Sequence, residues 1–359
     1  MGKEIIFGVA TSNDMEDVFR FHDEYNRGMR SLKVFNWQYG DYSQSENLLV
    51  VGKADNSLVA TYGYLRFPIS VDGDMVLSGK GETTLIDKQY RGLEHNFSLY
   101  KNATDEFSKQ KPACVWGITR SELKPLMKAY GRKVYEKPIS LMLVAFKYKA
   151  LMQLGKEKIS SNVLRILLAI ASLPYLFLIK TVFFLKSWNF RKSKLSVMHK
   201  LKNKNDIITM YQRIRANIPD LIHLHYDEEF MSWRIDNSPV PIKQYFVYKG
   251  DQLCGYMFIA VNSNDLTIID LTFETNVAAY LLVKEMMKLV LKLKPGLIMY
   301  YGNKENELGL KSFNILSKHG FIKLKGLNNF TLKVVEYQNE AMLYDINNWH
   351  LNGVWLEGI

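Results

Sequence analysis

Residues 79–97 read GKGETTLIDKQYRGLEHNF, and the fold is decided by how this stretch is parsed. The spacing predicts a short strand from Glu82 to Ile86, a tight basic turn from Lys88 to Gly92, and a helix from Leu93 onward. A strand that turns directly into a helix gathers the unpaired N–H groups of Leu93, Glu94 and His95 at one point. The helix dipole adds partial positive charge there, so the turn suits a phosphate or pyrophosphate. Arg91 contributes a fixed charge, Gly92 lets the backbone come close to a ligand, and Gln89 and Tyr90 flank it. Glu94 in the first helical turn stabilises the helix when it points outward and repels a phosphate when it points inward. His95 reads as an anion contact or as a solvated first-turn residue. Within the strand, period two sets Glu82, Thr84 and Ile86 on one face. Glu82 is therefore a candidate general base, the alternative being a pair with a surface lysine.

A chain of 359 residues is too long for one ordinary domain and suits two. Its 47% apolar and 13% aromatic content provides for sizeable cores. Cys114 and Cys254 each lie in an apolar, strand-like run. Two cysteines make neither a disulfide framework nor a thiolate metal site, so both read as core residues and no metal is expected. The opening MGKEIIFGVAT has no apolar signal core, and Ile6 stands where a myristoylation signal needs Ser or Thr. The net charge of +11 is uneven: thirteen Lys or Arg and one acid, Glu157, fall between Lys147 and Lys204. The rest of the chain is close to neutral, which argues against nucleic acid as a partner.

Moving outward, Thr11-Ser12-Asn13-Asp14 caps a helix with Met15, Val18, Phe19 and His22 at helical spacing. Strands over 48–52 and 58–64 flank the turn Ala54-Asp55-Asn56-Ser57, and Val71-Asp72-Gly73-Asp74 makes a second hairpin turn. After the phosphate turn come a buried strand at Ala113–Ile118 and a helix from Ser121 to Ala129 closed by Gly131. The second half repeats this order. Trp233 stands where Trp37 stood, 244–248 and 253–260 make the hairpin, and Leu266–Leu271 mirrors Glu82–Ile86. Leu297–Gly302 mirrors the Cys114 strand, and Leu308–Gly320 mirrors Ser121–Gly131. The Trp37 and Trp233 pair reads as core packing rather than as a substrate platform. The second copy has Thr272-Phe273-Glu274-Thr275-Asn276 in place of the Arg-Gly turn, so one cofactor site is expected, in the first copy.

Gln89-Tyr90-Arg91-Gly92 resembles the Gln/Arg-x-x-Gly-x-Gly/Ala acyl-CoA loop of the GNAT superfamily of N-acetyltransferases, with Glu94 at the motif's second small position. The doubled order of elements resembles the tandem members of that superfamily. So do Trp233-Arg234 with Pro239 and Tyr245, and Asn348-Trp349-His350-Leu351. The resemblance implies an α+β fold of two GNAT-type domains, each a mixed, mostly antiparallel sheet flanked by helices. They cover 1–146 (with the CoA site) and 205–359 (without a phosphate loop), joined by a basic, apolar helical connector at 147–204. It further implies that acetyl-CoA or another acyl-CoA binds through Leu85, Ile86, Gln89, Tyr90, Arg91, Gly92, Leu93, Glu94 and His95. An amide near Leu85 or Ile86 would polarise the thioester, and the pantetheine arm would pair along a splayed strand edge. The tyrosine that many members use as general acid is replaced by Met127, with Tyr130 out of phase.

The expected activity is acyl transfer to an amino group of a small molecule or of a bacterial cell-envelope or polysaccharide precursor. The alternatives are a catalytically inactive scaffold and a relative that moves amino acids from tRNA; the near-neutral charge of the folded copies counts against the latter. In the connector, the apolar run around Pro174 falls short of the ~20 residues a membrane span needs. With its flanking Lys and Arg it suits shallow insertion at an anionic leaflet through 160–204; a helix buried between the domains is the other reading. The expected location is the cytoplasm, including the inner face of the cell membrane.

Overall fold

The chain opens with β1 (Ile6–Val9) and a reciprocal cap in which the Thr11 amide and hydroxyl both donate to Asp14 Oδ2 at 2.7 Å. That cap launches α1 (Met15–Asn26), whose Val18 and His22 are buried, and α2 (Leu32–Tyr39) follows. In this computed structural model the described residues are 4–26, 31–39, 47–147, 174–179, 181, 185, 194–262, 264–324, 326 and 328–356. Asp55 and Asn56, with φ of 48° and 62°, turn β2 (Leu48–Ala54) into β3 (Ser57–Val71). Asp72 and Gly73, with φ of 52° and 91°, turn β3 into β4 (Asp74–Ile86). Left-handed pairs of this kind match the twist of the strands they join. β4 is thus far longer than the Glu82–Ile86 strand the sequence predicts, because from the Asp-Gly turn the chain pairs with β3 without interruption from Asp74 to Glu82.

After α3 (Leu93–Ser108) come β5 (Cys114–Thr119), α4 (Lys124–Ala129), β6 (Lys133–Tyr135) and β7 (Ile139–Ala145). Gly131, at φ 71°, closes α4 as expected. The second half contains β8 (Ser196–Met198), α5 (Asp206–Arg215), β9 (His223–Leu224), α6 (Glu228–Met231), β10 (Ile242–Lys249), β11 (Gln252–Val261) and β12 (Asp265–Phe273). It ends with α7 (Asn276–Leu293), β13 (Leu297–Asn303), α8 (Glu307–Ser317), β14 (Ile322–Leu324), β15 (Asn329–Val334) and α9 (Glu340–Tyr344).

Two sheets result, ordered β1-β2-β3-β4-β5-β15-β6, with β9 added to β3, and β8-β10-β11-β12-β13-β7-β14. The orders match position for position, and each sheet has one parallel pair, β4 with β5 and β12 with β13. The sheets also trade strands. β7, from the first half, pairs with β13 and β14, while β15, from the second half, pairs with β5 and β6. The contiguous division into 1–146 and 205–359 therefore does not describe how the sheets are composed. Nor is 147–204 wholly connector, since β8 opens the second sheet there. A buried aromatic core joins the two sheets, including Phe67, Trp116, Trp233, Phe258, Phe330 and Trp355. At its centre the repeat-related tryptophans answer each other: Trp37 Nε1 donates to the Trp233 carbonyl and Trp233 Nε1 to the Trp37 carbonyl, both at 2.9 Å. Their rings, 5.6 Å apart and buried, are packing residues.

Candidate functional site

Along the parallel pair, β4 and β5 are in register only at Ser78–Cys114, Gly79–Val115 and Lys80–Trp116. β4 then runs on to Ile86 and β5 to Thr119, and among the described residues no strand pairs with the facing edges they leave. This wedge opens toward the turn that enters α3. The other edge of β4 is held by β3 through a bulge: Thr61 faces Leu85 and Gly63 faces Glu82, so Thr83 and Thr84 oppose a single residue. Thr83 sits at φ 60°, strained for a β-branched residue. It is held there by the Thr61 hydroxyl donating to its carbonyl at 2.8 Å and by Tyr39, whose hydroxyl lies 2.5 Å from its own. His22 Nε2 lies 2.8 Å from the Thr61 hydroxyl behind it.

The bulge overturns the predicted alternation. Glu82 is buried with Lys80, whose ammonium lies over the Phe67 and Trp116 rings at 5.7 and 5.9 Å. Ile86 instead joins the cluster of Tyr62, Leu99 and Tyr100 under α3. Nor is the partner of Glu82 a surface lysine. Lys80 Nζ binds Glu82 Oε1 inside the protein, and Gln38 Nε2 donates to Oε2 at 3.0 Å. Arg234 lies close by, with burial lowering its pKa to about 10 and the Glu82 charge opposing that drop.

At the turn, Asp87, which the motif reading passed over, accepts the Gln89 amide at 2.8 Å and the Tyr25 hydroxyl at 2.6 Å. Those two bonds hold its carboxyl below the usual range. An Asp two residues before an exposed Gln was the available signal, an Asx turn. Leu85 is half-buried; Gln89, Arg91, Gly92, Leu93 and Glu94 are exposed; Tyr90 and His95 are half-buried with ring centres 6.4 Å apart. Arg91 Nε donates to the Ile86 carbonyl at 3.0 Å, which ties the turn to the strand end. The first helical bond runs from the Asn96 amide to the Gly92 carbonyl, and no side chain caps the helix at Gly92. Among the described residues the amides of Leu93, Glu94 and His95 therefore have no intrahelical partner. Gly92 is extended, at φ −167°, and a Cβ there meets nothing within 4 Å.

Beneath the apex of the wedge lies a residue that no local pattern singles out. Arg132, 4% exposed, donates to the hydroxyls of Tyr100, Tyr62 and Tyr64 at 3.1 Å and of Thr331 at 3.2 Å. Its guanidinium spans the two strands: a Cβ on Gly117 would lie 3.1 Å from Nη1, and one on Gly81 3.4 Å from Nη2. Burial opposes it, but the Arg132 charge brings the Tyr100 hydroxyl below its ordinary pKa. Past the end of β5, a cavity of about 320 Å³ opens between the sheets. It is lined by Ile118 and Thr119 from the first sheet and Arg120 just past it, Ile139 and Tyr301 from the second, and Leu356.

The second copy has the same wedge, since β12 and β13 pair only from Asp265–Leu297 to Ile268–Tyr300. There the chain's own C-terminal segment fills it. Gly302 bridges to Asn352, the Asn303 amide donates to the Leu351 carbonyl at 2.9 Å, and a Cβ on Gly353 would lie 2.8 Å from Ile269 Cα. Arg234 pins this segment by donating to the Val354 and Leu356 carbonyls at 3.0 and 2.9 Å. Asp270 is buried under it, accepting the hydroxyls of Tyr226, Tyr256 and Thr272 at 2.6, 2.8 and 3.0 Å. Both cysteines are buried, which pushes their thiols up. Among the described residues no group of His, Cys, Asp and Glu is arranged to hold a metal.

No family model and no curated protein matches the chain. Solved structures do. A GCN5-related N-acetyltransferase from Kribbella flavida aligns over 92% of this chain and 71% of its own, with TM-score 0.62 and 10% identity. A tandem GNAT protein from the clavulanic acid biosynthesis pathway aligns over 93% and 100%, with TM-score 0.57 and 11% identity. Saccharomyces cerevisiae N-myristoyltransferase with bound myristoyl-CoA aligns over 92% and 83%, with TM-score 0.56 and 13% identity. Paired sheets of equal order, each with one splayed parallel pair, and alignment over nearly the whole chain give the conclusion that this protein has the tandem GNAT fold.

Proposed function

We propose that this chain is an acyl-CoA-dependent N-acyltransferase with one donor site, in the wedge of the first sheet. The observation that supports this reading is the contrast between the wedges: one is filled by the chain's own backbone, while among the described residues no strand lies between β4 and β5 past Lys80–Trp116, beside the first amides of α3. An extended pantetheine arm is the kind of ligand that pairs with a free strand edge. The diphosphate would sit on the amides of Leu93, Glu94 and His95 with Arg91 beside it, flanked by Gln89, Tyr90 and Gly92. Bound there, acyl-CoA would supply an activated acyl group whose C–S bond breaks as the acceptor nitrogen bonds to the acyl carbon, the nitrogen losing a proton and the sulfur leaving as the CoA thiol. Leu85 and Ile86 lie on the strand whose amides would polarise that carbonyl. The Arg132–tyrosine floor under the apex argues for a short acyl group, hence acetyl-CoA.

The cavity past Thr119 suits the acceptor, and Arg120, the one charged side chain among its described lining residues, favours an amine that also carries an anionic group. Amino acids, acidic sugars and bacterial envelope or polysaccharide precursors belong to that class. Glu82 is the carboxylate on the wedge strand itself, but to accept the amine's proton it has to leave Lys80. Glu82→Gln separates the roles: a base loses kcat at unchanged KM, and an ion pair loses stability. A second reading, a non-catalytic scaffold, is favoured by the Asp87 and Glu94 carboxylates beside the amides and by Met127 in place of a tyrosine. Calorimetry with acetyl-CoA decides between them. One site per chain, lost in Arg91→Glu, supports the transferase; no heat at millimolar cofactor supports the scaffold.

A further inference from the structure

The helical stretch at 174–179 is apolar on two opposite faces. On one, Leu176 and Ile179 are buried, and Ile179 packs into the core of the second sheet, where its Cδ1 would lie 2.3 Å from a Cβ on Gly320. On the other, Phe177 is 75% exposed, Leu178 61% and Leu185 55%. Leu178, Thr181 and Leu185 follow at spacings of three and four, and Phe177 lies four before Thr181; at helical positions these share one side. The Thr181 hydroxyl donates to the Phe177 carbonyl at 2.9 Å, as a helix carries it. Large apolar side chains this exposed, aligned on a helix already anchored by its other face, need an apolar partner.

We propose that this stripe docks on an anionic lipid bilayer, lying along its surface rather than crossing it. Three observations choose this occupant. The segment 147–204 holds thirteen Lys and Arg against one acid, Glu157, while the rest of the chain is close to neutral; positive charge confined to the sequence around an exposed apolar stripe is the pattern that anionic headgroups attract. The uncharged run from Ile166 to Ile179 is shorter than the ~20 apolar residues a membrane span needs. The stripe's opposite face is committed to the protein core, so the helix has only one side to offer. This inference does not depend on acyl transfer, and its test contains no acyl-CoA.

Full-length protein is sedimented with vesicles of phosphatidylcholine alone and of equal parts phosphatidylcholine and phosphatidylglycerol, at low and high salt. The expected result is binding to the anionic vesicles only, weakened by salt. Phe177→Glu with Leu178→Glu should reduce that binding at least about tenfold. Both positions are exposed, so the variant should keep the wild-type melting temperature. Equal binding to both vesicles, binding to neither, or a variant that binds like wild type overturns the proposal. A dimer by light scattering that the double variant dissociates also overturns it, by assigning the stripe to a second copy of the chain.

Discussion

Gly92 separates a ligand role from a structural one. Its extended backbone suits any residue, and a methyl group there meets open space, so glycine serves the free protein only as the N-cap of α3. Gly92→Ala should cost no more than about 1 kcal/mol of stability, the penalty of a poorer cap. If acetyl-CoA lies on these amides, the same variant should bind it about tenfold more weakly, ~1.4 kcal/mol. Calorimetry beside a thermal melt reads both. Lys80 and Glu82 make the opposite case. Lys80→Met strands a buried carboxylate and should cost about 3–5 kcal/mol, while Lys80→Met with Glu82→Gln should recover most of it; urea unfolding distinguishes them. His223, buried and stacked on Tyr211 at 3.6 Å, is held neutral, burial lowering its pKa from 6.5 to about 3. The unfolded chain takes up that proton first, so this residue leaves stability untouched above pH 6.5 and erodes it as pH falls from 6.5 through 3. Unfolding free energies across that range should slope less in His223→Leu.

Among the elements, those set by local chemistry were legible in the sequence. Thr11 to Asp14 announced a helix, Asp-Asn and Asp-Gly announced hairpins, and Gly131 announced a helix end; each depends on residues within a turn of one another. The face of Glu82 was not legible, because period two assumes an unbroken strand and the bulge at Thr83–Thr84 turns the strand over. Thr83 gives no warning of its φ of 60°; the conformation is imposed by Tyr39 and Thr61, which lie far away in sequence. Tyr39→Phe should therefore loosen the bulge, costing about 1 kcal/mol by urea unfolding; if the proposed donor site holds acetyl-CoA, its affinity should fall as well, read by calorimetry. Arg132 was equally hidden, since its partners come from β3, α3 and β15. The alternation of Tyr62 and Tyr64 on one face of β3 was the single local sign of a polar site there.

For the whole molecule, the repeat was readable from the order of its elements, whereas the strand exchange was not: nothing local in Ile139–Ala145 or Asn329–Val334 names its neighbours, and only pairing tells which sheet receives them. The exchange makes the two copies one unfolding unit. Residues 1–147 and 194–359 expressed separately should each fail to give soluble, folded protein, and their co-expression should restore a complex that co-purifies. Recovery of either alone with native circular dichroism would contradict this. The same exchange governs what happens on the ribosome. The first sheet needs Asn329–Val334 between β5 and β6, so most of the polypeptide must emerge before the earlier half can finish. A message cut short, or translation that stalls, leaves a half-built sheet with a bare edge, the form that chaperones and proteases recognise.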